Sequence, residues 1–153
     1  ICSGILKVIN NFPDVVFIIP LHPNPKVREP LEELLGSKSQ VYLVEPLNYD
    51  FFLSLLKKSY LIITDSGGIQ EEAPIFGKPV LVVRNSTERL ASLNHGISKV
   101  IGTSSYQIYN ETSSLLIDSN KYNKMCIRGS IYGDGFASKR IVSACTKFLL
   151  KNN

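Results

Sequence analysis

The segment from Thr64 to Pro74 combines residue types that can bind an anion. An apolar run ends at Thr64, and the polar residues Asp65 and Ser66 and the pair Gly67-Gly68 follow directly. Such a run, stopped by turn residues, is typical of a buried parallel strand that leads into a helix. The N–H groups of a first helical turn have no intrahelical partners and together carry about half a positive charge. Because glycine has no Cβ, a phosphate can approach these amides closely, with Ser66 or Asp65 capping the helix.

Two carboxylates, Glu71 and Glu72, follow one helical turn later. Glu72 lies four residues after Gly68 and therefore on the same helical face, where it can accept hydrogen bonds from a diol such as ribose. This combination suggests a nucleotide. The alternative is structural, since Ser-Gly-Gly turns are common connectors and glutamates in a first turn favour the helix dipole. A single glycine turn is a weak motif, so other segments of the chain have to decide between the nucleotide site and the structural connector.

Length and composition describe an ordinary globular domain. The chain has 153 residues, of which 44% are hydrophobic and 20% charged, typical of a single soluble domain. No apolar run approaches the roughly 18 residues of a membrane span and no signal-peptide pattern precedes the first strand, which predicts a cytoplasmic protein without membrane contact. The three cysteines are widely spaced and fit neither a disulfide framework nor a zinc site, so we interpret them as free thiols.

The net charge of +4 is uneven, with basic residues concentrated after Lys78. A basic half can attract phosphate-bearing ligands or nucleic acid. These basic residues are scattered, however, and aromatic residues are not interleaved with them, so we expect no nucleic-acid partner.

The hydrophobic pattern predicts strands that alternate with helices along the whole chain. Parallel crossovers need a helix, so this alternation predicts a parallel sheet with helices on both faces, whose ligands bind beyond the carboxyl ends of the strands. Pro74 is expected to end or kink its helix early. Predicted strands cover 15–20, 40–44, 60–64, 79–83 and 98–101, and predicted helices cover 1–11, 26–35, 49–58, 67–76, 90–94, 105–117, 121–126 and 136–150.

Five clusters of polar or aromatic residues follow these strands. His22 can donate a hydrogen bond to a ligand, although a capping or proline-loop histidine is the more common case. Arg89 can bind a diphosphate bidentately, or form a solvated ion pair with Glu88 that contributes little. Phe52 can stack on a base, although Phe51 and Phe52 in an amphipathic helix are more often core residues. The clusters contain no catalytic triad or metal site, and they comprise His22 with Asn24 and Arg28, then 48–52, 65–72, 84–89 and 132–135.

Several of these segments together resemble the non-hydrolysing bacterial UDP-N-acetylglucosamine 2-epimerases, which interconvert UDP-GlcNAc and UDP-ManNAc. They occur in the family's order and spacing, extend over essentially the whole chain, and are highly specific as a set. The segments are PLHPNPKVREP at 20–30, TDSGGIQEEAP at 64–74, GKPVLV at 77–82, TER at 87–89, VIGT at 100–103 and YGDG at 132–135.

The resemblance implies a fold and a set of site residues. The fold is α/β and Rossmann-like, the C-terminal half of a two-domain GT-B architecture, with the active site between the halves. By resemblance, Ser66 to Gly68 bind the diphosphate, Glu72 holds the ribose hydroxyls and Arg89 supports the phosphates. Phe52 lies by the uracil. Arg28 corresponds to an arginine of the family's allosteric UDP-GlcNAc site, and His22 is a candidate for the same cleft.

The resemblance also implies a mechanism, in which UDP is eliminated from the sugar and added back on the other face of an enzyme-bound 2-acetamidoglucal. This needs a base at the sugar C2 and stabilisation of the leaving diphosphate, and only the second can come from these residues. The family's acid/base carboxylates belong to the N-terminal half, so no catalytic residue, cofactor or metal is expected here. The expected partners are a UDP-sugar substrate and the N-terminal half, a homodimer is a candidate assembly, and the chain alone should bind weakly without turnover.

Two positions depart from the family pattern. Leu47 stands where a glutamine commonly lies beside the uracil, and Leu90-Ala91 replaces a Pro-Glu pair. These changes remove a polar contact to the base and loosen the loop that presents Arg89. Two alternatives remain: the nucleotide-binding domain of a GT-B glycosyltransferase, which would transfer a sugar to an acceptor, and a non-catalytic epimerase remnant that only binds nucleotide or an intact epimerase.

Overall fold

The chain folds into parallel strands separated by helices in a computed structural model that describes residues 1–129 and 131–151. The predicted Rossmann-like α/β class is confirmed by this arrangement. The strands are β1 (Phe17–Pro20), β2 (Val41–Val44), β3 (Ile62–Thr64), β4 (Val80–Val82) and β5 (Ser98–Val100). The helices are α1 (Cys2–Asn11), α2 (Pro25–Leu35), α3 (Tyr49–Lys58), α4 (Gly67–Glu72), α5 (Leu90–Asn94), α6 (Ser105–Ile117), α7 (Ser119–Met125) and α8 (Ala137–Lys151), with a 3₁₀ turn at Ala73–Phe76.

The strands are hydrogen-bonded in two parallel groups. β1 pairs with β2, and β4 lies between β3 and β5. The sequence predicts a parallel sheet without indicating this division. Strands of three or four residues offer few ladder positions, so the two groups remain separate ladders within the described residues.

β4 is buried on both of its faces. Val80, Leu81 and Val82 each have a relative exposure of 0%. Successive residues of a strand point to opposite faces, so Val80 and Val82 pack in one cluster with Leu56 of α3, while Leu81 packs in another with Ile108 of α6. Helices therefore cover both sides of this sheet, which explains why the strand sequences lack the alternation of a half-exposed sheet.

A third apolar cluster covers the β1–β2 pair. Ile5 and Ile9 of α1 pack with Leu35 of α2 and Val41 of β2. α1 thus joins this small sheet to the rest of the fold, because it also packs against α6.

The contact between α1 and α6 depends on Gly4. A Cβ at Gly4 would lie 2.8 Å from both Cβ and Cγ2 of Ile108, and 3.2 Å from the carbonyl oxygen of Ser105. These distances are shorter than carbon atoms tolerate, so the two helix backbones can approach this closely only over a glycine.

Gly4→Val should destabilise the protein by roughly 1–3 kcal/mol, because the new side chain overpacks the α1–α6 contact. Ser3→Val places the same residue at the neighbouring, exposed position of α1 and should leave the free energy of unfolding within about 0.5 kcal/mol. Chemical denaturation of both variants makes the comparison. Equal stabilities would contradict the close approach of the two helices.

α8 differs from the other long helices because none of its residues is buried. Its start is fixed by Asp134, whose carboxylate accepts hydrogen bonds from the backbone N–H of Phe136 at 3.1 Å and from Arg140 at 2.7 and 2.8 Å. These bonds, chiefly those from the Arg140 guanidinium, lower the pKa of Asp134 to about 2. Exposed apolar side chains on this helix are Ile141, Val142, Phe148, Leu149 and Leu150.

The contribution of Asp134 to helix stability should be present above its ordinary pKa of 3.8 and lost as the pH falls towards about 2. NMR titration of the Asp134 carboxyl carbon measures this pKa directly. Arg140→Gln should return it towards 3.8, whereas Lys139→Gln, which removes the same charge one residue away, should leave it low. An Asp134 that titrates near 3.8 in the unaltered chain would refute the pairing.

Among the described residues, no helix has the length and apolar character that crossing a bilayer demands.

Candidate functional site

Parallel pairing of β3 with β4 brings two loops together at one edge of the sheet. Thr64, the last residue of β3, is in register with Val82, the last residue of β4. The Val83 N–H donates to the Thr64 carbonyl at 3.0 Å, which extends the pairing by one residue. The loop 65–66 and the loop 84–89 therefore leave the sheet side by side, as the sequence predicts for the carboxyl ends of neighbouring strands.

The glycine turn opens α4 as expected, but without the predicted cap. Ser66 occupies the N-cap position, and its side chain makes no capping hydrogen bond. Instead, the Ser66 N–H donates to the Thr64 hydroxyl at 3.0 Å, so Thr64 fixes the turn from the strand side. α4 ends at Glu72 and gives way to a 3₁₀ turn that contains Pro74, which confirms the early helix end predicted from this proline.

Neither backbone strain nor lack of space in the free chain requires glycine at positions 67 and 68. Neither has the positive φ found at other glycines of the described chain, such as Gly77. A Cβ on Gly68 would meet only Ser66 Oγ, at 3.8 Å. A Cβ on Gly67 would lie 3.4 Å from Nη2 of Arg89, so the guanidinium lies directly beside the glycine turn.

Arg89 is held by two carboxylates. Its Nε lies 2.5 Å from Glu71 Oε1, and its Nη1 lies 3.7 Å from Glu88 Oε1. The pair with Glu88 is the ion pair that the sequence offers as the alternative to diphosphate binding, and the closer pair with Glu71 is not predictable from it. The Arg89 and Glu71 side chains are 34% and 41% exposed, and among the described residues the Arg89 Nε–H has no aligned hydrogen bond. The contact is therefore an ion pair that contributes modestly to stability.

Glu72 accepts a hydrogen bond that is not predicted from the sequence. The Tyr49 hydroxyl at the start of α3 donates to Glu72 Oε1 at 3.3 Å. Burial and the nearby Glu72 carboxylate raise the pKa of Tyr49 above its ordinary value. The Asn48 side chain accepts from the Phe51 N–H at 3.0 Å and so caps α3, which sets the position of Tyr49. Glu72 keeps acceptor capacity for a diol beyond this one bond.

The aromatic pair in α3 divides between two environments. Phe52 is half-buried and packs against the apolar cluster of Leu56 and Val80. Phe51 is 68% exposed, so the interpretation of both rings as core residues is wrong for Phe51. Leu47 is 38% exposed just before α3, and the roles of Phe52 and Leu47 beside a base stay predictions.

His22 and Arg28 lie after β1, on the other sheet. The His22 Nδ1 accepts a hydrogen bond from the Asn24 N–H at 3.1 Å, which is the proline-loop role given above as the more common one. Arg28 pairs with Glu32 at 2.8 Å and also with Glu45 beyond β2. The hydrogen bonds that Arg28 donates to these carboxylates, chiefly those to Glu45, raise the pKa of Arg28. The allosteric role implied for Arg28 stays a prediction.

The YGDG turn at 132–135 contacts α5, the helix that follows the loop 84–89, through Tyr132. Its hydroxyl accepts from the backbone N–H of Ser92 in α5 at 3.2 Å. An open cavity of about 420 Å³ lies between this turn and α4, and it is lined by Glu71, Tyr132 and Arg140 among others but not by the glycine turn. Within residues 1–129 and 131–151, no three His, Cys, Asp or Glu side chains form a group that could hold a metal ion.

Comparison with known proteins identifies the family to which this chain belongs. A family model described as UDP-N-acetylglucosamine 2-epimerase matches residues 1–146. The chain is 43% identical to the UDP-N-acetylglucosamine 2-epimerase of Campylobacter jejuni and 42% identical to that of Escherichia coli K12, each over 153 residues. Each alignment covers 100% of this chain and 39% of the relative.

Solved structures agree with these relatives. The UDP-GlcNAc 2-epimerase from Neisseria meningitidis bound to UDP-GlcNAc matches with a TM-score of 0.92 and 44% identity, over 96% of this chain and 40% of that one. A co-structure of S. aureus MnaA with UDP gives a TM-score of 0.92 and 44% identity, over 97% and 40%. The chain belongs to the UDP-N-acetylglucosamine 2-epimerase family, and it spans about two fifths of the length of these relatives.

Removal of the Glu72 charge should lower the pKa of Tyr49, because the carboxylate no longer opposes formation of the phenolate. In Glu72→Gln, NMR titration of the Tyr49 Cζ carbon should move towards the ordinary tyrosine value of 10.0. Glu33→Gln removes an exposed carboxylate from α2 and serves as the control. An unshifted Tyr49 in Glu72→Gln would contradict the contact between α3 and α4.

Proposed function

We propose that this chain is the UDP-binding part of a UDP-N-acetylglucosamine 2-epimerase, an isomerase that interconverts UDP-GlcNAc and UDP-ManNAc. In this proposal the Ser66 hydroxyl and the amides of Gly67 and Gly68 bind the diphosphate, since the Ser66 N–H already donates to Thr64, and Arg89 neutralises part of its charge. Glu72 accepts hydrogen bonds from the ribose hydroxyls, and Phe52 lies by the uracil. The single observation that carries the proposal is the placement of the Arg89 guanidinium against Gly67, at 3.4 Å from the position of a Cβ.

The chemistry of the reaction fits this division of roles. Cleavage of the bond between the sugar C1 and the diphosphate leaves negative charge on the leaving oxygen, and aligned amides with a guanidinium stabilise such charge. A base at the sugar C2 is also needed. No residue described above is placed to act as that base, so we propose that it comes from the N-terminal half of a two-domain GT-B enzyme.

The exposed apolar side chains of α8 support the proposal that further polypeptide packs against this helix. Ile141, Val142 and Leu149 are each more than 60% exposed, and contiguous exposed apolar side chains mark surfaces that other protein covers. The relatives are more than twice as long as this chain. We therefore propose that the N-terminal half covers this side of α8. A homodimer and a cytoplasmic location stay predictions from the sequence.

Family membership favours the epimerase over the glycosyltransferase alternative. The hypothesis of a non-catalytic remnant differs from both enzyme hypotheses because it predicts that turnover is absent under every condition. Binding and activity measurements separate these readings.

Calorimetric titration of the chain with UDP and with ATP tests the binding proposal. UDP should bind and ATP should bind more weakly. Gly67→Ala should fold normally, since its Cβ meets atoms only at ordinary contact distance, but should bind UDP less tightly because the methyl group occupies the space beside the Arg89 guanidinium. Glu72→Gln should cost about 1–3 kcal/mol of UDP affinity, whereas Glu33→Gln should cost nothing. Binding of neither nucleotide would overturn the proposal.

Complementation tests the proposed reaction. The chain alone should not epimerise UDP-GlcNAc, because the C2 base is missing. Addition of a separately expressed N-terminal half from a relative, such as the Campylobacter jejuni enzyme, should restore conversion to UDP-ManNAc, and Arg89→Ala in this chain should abolish the restored activity. UDP binding without any restored activity would favour the remnant.

A further inference from the structure

A buried amide side chain connects the glycine turn to the loop that carries Arg89. Gln70 in α4 has an exposure of 0%, and both ends of its amide are hydrogen-bonded. Its Nε2 donates to the Ser66 carbonyl at 3.2 Å, and its Oε1 accepts from the Thr87 hydroxyl at 2.7 Å. Breaking either bond would leave a buried polar group without a partner, so the arrangement resists displacement.

The direction of these bonds follows from the chemistry of the groups. The Ser66 carbonyl can only accept, so Nε2 of Gln70 has to face it and Oε1 has to face Thr87. The Thr87 hydroxyl must then donate to Oε1, which leaves its lone pairs to accept the Arg89 N–H, at 3.2 Å. The result is one continuous sequence of hydrogen bonds from the Arg89 backbone to the glycine turn.

The other side of the Arg89 backbone is also fixed. Its carbonyl accepts from the hydroxyl of Ser92, a buried residue of α5, at 3.1 Å. The N–H and C=O of Arg89 therefore have partners on two different elements. The backbone of Arg89 is therefore held in place, and the ion pair with Glu71 acts on its side chain in addition.

We propose that Gln70 and Thr87 are positioning residues that set the distance between Arg89 and the amides of the glycine turn. Gln70 is fully buried, so it acts through Ser66 and Arg89 and not by contact with a ligand. That the positioned groups serve a diphosphate rests on the proposed function. The positioning itself is a property of the free chain and can be measured without ligand.

Hydrogen exchange of the ligand-free chain tests the positioning. Thr87→Val keeps the side-chain shape and removes the hydroxyl, so exchange in residues 66–70 and 84–90 should accelerate together by about tenfold. Thr87→Ser restores the hydroxyl and should keep exchange slow in both segments. Thr112→Val is the control, because Thr112 is a buried threonine whose hydroxyl has no hydrogen-bond partner within residues 1–129 and 131–151. It should leave both segments unchanged.

Titration separates positioning from a general loss of stability. Thr87→Val should weaken UDP binding by about tenfold and leave uridine binding, followed by NMR, unchanged, because only the phosphates need Arg89 at its correct distance. Thr87→Ser should bind UDP like the unaltered chain. Equal weakening of UDP and uridine would indicate a general structural effect and overturn the inference.

Two further outcomes are decisive. Unchanged exchange in both segments of Thr87→Val would also overturn the inference. If this variant does not fold, Gln70→Met, which keeps the volume and removes both side-chain hydrogen bonds, undergoes the same measurements. If the unaltered chain does not bind UDP, the proposed function fails, while the exchange experiment still decides whether Gln70 and Thr87 position Arg89.

Discussion

The parallel register between β3 and β4 is the constraint on which the candidate site depends. It aligns Thr64 with Val82, so the glycine turn and the arginine loop leave the sheet at the same level. β4 keeps this register because its side chains are buried on both faces, and a slip by one residue would exchange the two faces. The packing of the core therefore determines where the polar residues of the site meet.

Much of this arrangement is predictable from the sequence, because periodicity and turn residues are local signals. The bounds of α3, α5 and α6 agree with the predicted segments, and the parallel topology alone places Gly67 and Arg89 at one edge. The side-chain partners are a different matter. The contacts of Arg89 with Glu71 and of Gln70 with Thr87 join segments that are 17 or 18 residues apart, and nothing in either segment specifies which rotamers meet.

The mistaken expectations share a physical cause, which is competition between neighbouring groups. Ser66 is a good N-cap residue by type, but the hydroxyl of Thr64 already orders the turn. Phe51 is apolar by type, but α3 has only one face towards the core, and Phe52 occupies it. Intrinsic preference identifies candidates for such positions, whereas the packed structure selects among them.

The carboxylates around Arg89 have a consequence for selectivity. With Glu71 at 2.5 Å and Glu88 at 3.7 Å, the guanidinium has carboxylate partners in the free chain, and an incoming anion has to compete with them. A monovalent ion such as chloride gains little binding free energy when it replaces a carboxylate that carries the same charge. An anion with several charged oxygens can contact the guanidinium and the turn amides at once. Arg89 and the amides together attract such an anion more strongly than Arg89 alone attracts the Glu71 carboxylate. The surroundings of Arg89 thus favour an anion that reaches both the guanidinium and the turn amides over one that reaches the guanidinium alone.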